Sequence, residues 1–151
     1  MTGLRIIFIA LLFLSFCVGS ITAQETFRFG YVKNAEGVDS VWLATTAKKD
    51  RIPGETILSH GHTFSPRINI NGSDIDLKSV KSNLPDQNFK VGRGGYEIFR
   101  GKDVRVRLDY IFAWLCPPEQ ENCSVYYYRG VLDVTYKGQR RKTNIVGFGG
   151  S

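Results

Sequence analysis

The chain is poor in the side chains most used for metal and covalent chemistry. It holds three cysteines and two histidines in 151 residues. One cysteine, Cys17, lies in an apolar leader, which leaves Cys116 and Cys123 as the only possible internal pair. Two cysteines at that spacing lack the further soft ligands that a structural zinc site needs. No G-x-S-x-G nucleophile elbow occurs, and Ser59 beside His60 on a strand would point away from it. Nothing in the spacing assembles a carboxylate pair such as Glu97 with Asp109. The glycine loop Gly92-Arg93-Gly94-Gly95 does not precede a helical segment, as phosphate-binding fingerprints require. No cofactor motif, internal repeat or long amphipathic helix is found. These absences leave no residue set on which to build an enzyme. The chain reads more readily as a binding protein.

The first 23 residues have the form of an export signal. Arg5 supplies a positive charge, Ile6 to Val18 is an apolar run broken only by Ser15, and Ile21-Thr22-Ala23 offers a small-residue cleavage site. The apolar run is short for a membrane span, which needs about 20 residues, so no transmembrane segment is expected after cleavage. Residues 24–151 then form one domain in a periplasmic or extracellular setting, where a Cys116–Cys123 disulfide is the default. Without Arg5 the chain carries 19 Lys and Arg against 14 acids, still a basic protein. A basic exported protein is drawn to acidic partner proteins, anionic glycans or envelope surfaces; nucleic acid fits an exported chain least.

The organising stretch runs from Asp103 to Lys137. Val104, Val106, Leu108, Tyr110, Phe112 and Trp114 alternate with polar residues, as in a half-buried strand. Tyr126, Tyr128, Leu132, Val134 and Tyr136 repeat the pattern after the short loop between the cysteines. Pairing the two apolar faces sets Trp114 opposite Tyr126, Phe112 opposite Tyr128, Tyr110 opposite Gly130, and so on to Val104 opposite Tyr136. On the outer face it sets Arg107 opposite Asp133.

Elsewhere, Phe27 to Val32 and Val38 to Thr46 read as a pair of strands. Thr56 to Phe64 reads as another, and Arg67 to Leu77 as a hairpin turned by Asn71-Gly72. Lys78 to Asn88 reads as a polar loop or helical turn, with short strands at Phe89 to Val91 and Tyr96 to Phe99. A final strand follows Lys137-Gly138, with a three-residue turn or bulge favoured because it places Val146 and Phe148 inward. Eight to ten short strands separated by turn signals predict an all-β, antiparallel β-sandwich or flattened barrel.

Three candidate sites follow. His60 and His62, at i and i+2 on a strand, would share a face where two imidazoles can hold a metal, with Asp74 and Asp76 as possible further ligands. Gly54, His60, Gly61 and His62 resemble the opening of the first cupin motif, which implies a metal. Pro66 and Arg67 stand where that family has its glutamate, and no third histidine follows. The second candidate is the acidic, proline-stiffened tip between the cysteines, with Glu119 and Glu121, and outward Tyr127 near it; a preorganised loop loses little entropy on docking. The third is a cationic patch of Arg105, Arg107, Lys137, Arg140, Arg141 and Lys142 at the other end of the hairpin, suited to a polyanion. The leading expectation is an exported, non-enzymatic binding protein using the tip or the patch. The alternatives are a metal-binding protein or metal-dependent enzyme using the histidines, and a structural envelope or matrix component.

Overall fold

The computed structural model describes residues 26–33, 39–43, 56–60, 65–83, 89–117, 119, 123 and 125–150. The leader expectation lies outside them. The described chain is all-β, in nine strands: β1 Asp39–Leu43, β2 Leu58–His60, β3 Arg67–Ile70, β4 Ser73–Asp76, β5 Lys78–Ser82, β6 Gly94–Gly101, β7 Val104–Leu115, β8 Val125–Tyr136 and β9 Gln139–Gly150. All pairings are antiparallel, in the order β4-β3-β2-β1-β9-β8-β7-β6-β5. The two outermost strands in that order, β4 and β5, are separated in sequence by Leu77 alone. One extended stretch therefore pairs with β3 through its first half and with β6 through its second. The sheet curls over on itself, sandwich-like, with Cys116 and Cys123 bridged at the end of the β7–β8 hairpin.

The inner faces meet in one core. Phe99, Phe112, Ile57, Leu58, Ile68, Ile70, Leu108, Leu132, Ile145, Val106 and Val134 are fully buried. Each such side chain contributes about 1.5–3 kcal/mol relative to exposure, so the alternation in β7 and β8 is what fixes their register. The expected pairs hold from Val104 with Tyr136 to Phe112 with Tyr128. The last pair does not. An irregularity between Phe112 and Trp114 shifts the ladder by one, setting Trp114 opposite Tyr127 and Leu115 opposite Tyr126. A one-residue offset moves a side chain to the other face, so Trp114 joins the outer face.

The Asn71-Gly72 hairpin is as expected, with φ of 52° and 80° at its two turn residues. Lys137-Gly138, at 48° and 80°, makes a two-residue turn with Tyr136 opposite Gln139. This corrects the longer turn favoured from sequence. Arg141, Thr143 and Ile145 take the inner face, and Val146 and Phe148 the outer one. The fold accommodates Arg141 because it lies at an open end of the core, where its guanidinium donates to the Phe27 carbonyl at 3.0 Å and lies over the Phe29 ring.

Three further expectations change. The Phe27 to Val32 stretch is no strand: it makes a single bridge, Phe29 with Ile70, and buries Phe27 and Val32. β1 pairs instead with β2 and β9. Lys78–Ser82 is an exposed strand rather than a loop, while Phe89 to Val91 is not a strand.

Candidate binding surface

Register places the outward side chains of β7, β8 and β9 in rows. From the disulfide end these are Trp114–Tyr127–Phe148, Ile111–Arg129–Val146, Asp109–Val131–Asn144, Arg107–Asp133–Lys142 and Arg105–Thr135–Arg140. The first row is aromatic, with ring centroids 5.5 and 5.6 Å apart. The last two are charged and line a pocket of about 530 Å³.

Two acids organise the charged rows. Asp133, its side chain 11 % exposed, accepts from Arg140 Nε at 2.8 Å and lies 3.5 Å from Lys142 Nζ. The Arg140 hydrogen bond, supported by the charges of Arg140 and Lys142, holds its carboxyl below the usual carboxylate range. Arg107 donates twice to Asp109, at 2.7 Å each, and lies over the Tyr96 ring; the Asp109 bonds hold its guanidinium above its ordinary value. So Arg107 and Asp133 are opposed, as the pattern implied, yet each is bonded to a nearer partner.

The bottom row extends across the sheet. Arg105 is opposite Arg100 of β6, and Arg100 is opposite Lys78 of β5. The row therefore reads Lys78–Arg100–Arg105–Thr135–Arg140. Among the described residues, the side chains of Lys78, Arg100 and Arg105 make no hydrogen bond or ion pair. Like charges directly opposed across strands destabilise a sheet. Sequence reasoning missed Lys78, because an exposed strand shows no alternation to mark it.

The cationic patch is thus brought together in part. Arg105, Arg107, Arg140 and Lys142 share the outer face; Arg141 is turned toward Phe27, and Lys137 sits in the terminal turn over Tyr136. At the other end, Glu119 is exposed in the tip; Glu121 lies outside the described residues. Tyr127 faces outward, within the aromatic row rather than on the tip.

His60 is buried: its strand is paired on both sides and turns it into the core. Its Nε2 lies 3.4 Å from the Tyr128 hydroxyl, and its Nδ1 3.9 Å from Glu97. His62 lies outside the described residues. Asp74 and Asp76 are on the opposite face, where Asp74 accepts from Asn69 and Lys33 and Asp76 from Arg67. Among the described residues, no group of three or more His, Cys, Asp or Glu is placed to hold a metal ion. Glu97 and Asp109 likewise fall on opposite faces.

No protein-family model matches the chain, and neither a curated protein nor a solved structure matches it.

Proposed function

We propose that this is an exported, non-enzymatic binding protein that holds an anionic glycan across the outer face of β5–β9. The observation that supports it most is the row Lys78–Arg100–Arg105, three cations directly opposed in register with no acid bonded to them. A sheet gains nothing from this arrangement alone, since it carries the repulsion of each pair. A linear polyanion lying across the strands would remove that repulsion. The strands are about 4.8 Å apart, close to the rise of one extended pyranose residue, so successive charged sugars would meet successive cations. Arg140 continues the row beyond Thr135, oriented by Asp133. The disulfide is compatible with an oxidising, exported location.

Retention on heparin tests the reading. The Lys78→Gln/Arg100→Gln/Arg105→Gln variant is expected to elute at clearly lower salt than the native chain. A control removing three exposed cations elsewhere, Lys33→Gln/Lys90→Gln/Arg93→Gln, is expected to elute close to it. Equal losses in the two variants, or none in either, would reject the row as the binding element.

A further inference from the structure

Between the aromatic row and the charged rows, the outer face carries a shallow, open groove. It has a volume of about 840 Å³ and is broadly open to solvent. Tyr96, Ile111, Val131 and Val146 wall it, with Asn83 and Asn144 on its two sides. Ile111 and Val131 are 38 % and 36 % exposed, although both are large aliphatics in mid-strand. Two glycines allow a close approach of the strands beneath the groove. A Cβ on Gly94 would stand 1.8 Å from the Tyr110 carbonyl oxygen, and one on Gly130 would stand 1.9 Å from that of Asp109. Alanine does not fit at either position, and glycine lets the neighbouring strands approach closely there.

Arg129 stands in the middle of this groove, flanked in its row by Ile111 and Val146. It is exposed, and among the described residues its side chain makes no hydrogen bond or ion pair. The acid lining the groove, Asp109, is committed to Arg107 through both carboxylate oxygens. Apolar walls around one uncommitted guanidinium complement an anion with an apolar body. We propose that the groove binds a single-chain aliphatic carboxylate, its headgroup paired with Arg129 and its chain lying over Ile111, Val131 and Val146. A guanidinium can meet a carboxylate through two parallel hydrogen bonds, which an alcohol headgroup cannot reproduce and a cationic headgroup opposes. The site uses no residue of the cationic row and is independent of the glycan reading.

Titration calorimetry with dodecanoate, dodecanol and dodecyltrimethylammonium, each below its aggregation threshold, tests this. Dodecanoate is expected to bind one to one, at least tenfold tighter than dodecanol, with no measurable heat from the ammonium compound. Arg129→Gln is expected to weaken dodecanoate by about tenfold, the worth of a charged hydrogen bond, and to leave dodecanol unchanged. Val131→Asp is expected to abolish both, with thermal unfolding confirming that each variant is folded. Dodecanoate binding should survive the Lys78/Arg100/Arg105 triple substitution. Binding indifferent to Arg129→Gln overturns the proposal. So does sedimentation with phosphatidylglycerol vesicles in the absence of monomer binding, which would assign the face to a membrane surface instead.

Discussion

The two ends of the outer face are carried by the same three strands, yet they are held by different physics. Toward the disulfide, Trp114, Tyr127 and Phe148 pack ring against ring. Toward the Lys137-Gly138 turn, the rows are ions, and their geometry depends on Asp133 and Asp109. The change falls at the row Asp109–Val131–Asn144, beside the close strand approach at Gly130. The difference shows that backbone pairing alone does not make a surface uniform. Contacts between uncharged rings are not screened by salt, while ion pairs between exposed groups are.

The largest effect is expected from disturbing the close strand approach between the ends. Gly130→Ala puts a methyl group into the Asp109 carbonyl, and overpacking of this kind costs about 3 kcal/mol. Urea unfolding measures it; a cost below about 1 kcal/mol would show that the strands can part freely there.

A smaller effect separates the ends by pH. The folded pKa of Asp133 is depressed, so its contribution is complete above the unfolded value of about 3.9 and is lost as pH falls through the folded value. Asp133→Asn is expected to cost about 0.5–1 kcal/mol near neutrality, given how exposed its cationic partners are. Its unfolding curve should converge on that of the native chain in strong acid. A gap that persists unchanged at pH 2 would assign the loss to packing instead of charge.

The smallest effect has the opposite sign. Arg105→Thr relieves the pairing with Arg100 and is expected to stabilise the free protein by a few tenths of a kcal/mol. Melting temperature at low salt reads it, and a clear loss would mean that Arg105 already has a favourable role without any ligand.

Much of the fold was legible because burial enforces it. The β7–β8 register follows from two runs of alternating side chains, and the Asn71-Gly72 hairpin from residues that tolerate positive φ. Where strands differ from expectation, pairing is decided by a partner the local sequence does not name. Phe27 to Val32 has strand-like residues but meets β3 at one bridge. Lys78–Ser82 has no apolar face, yet β6 pairs with it. The shift at Ala113 leaves no local mark, since alanine suits either face, and it moved Trp114 outward. The final turn is shorter than expected because an inward arginine, excluded in mid-core, is accommodated at an open end. For the candidate site the outcome is similar. Arg105, Arg107, Arg140 and Lys142 could be grouped from register alone, whereas Lys78 and the groove around Arg129 depend on the shape of the curled sheet.

Read in a circle, the strand order is simply the order of the chain, with β4 and β5 as one continuous stretch and β1 meeting β9. Leu43 stands opposite Ile145, so the first strand finds one of its neighbours in the last. A chain emerging from its N-terminus can complete the hairpins from β6 to β9 by local encounters, each new strand folding back on the one before. β1 has no such choice. One of its sides must stay unpaired until β9 arrives, and the ring shuts only with that meeting.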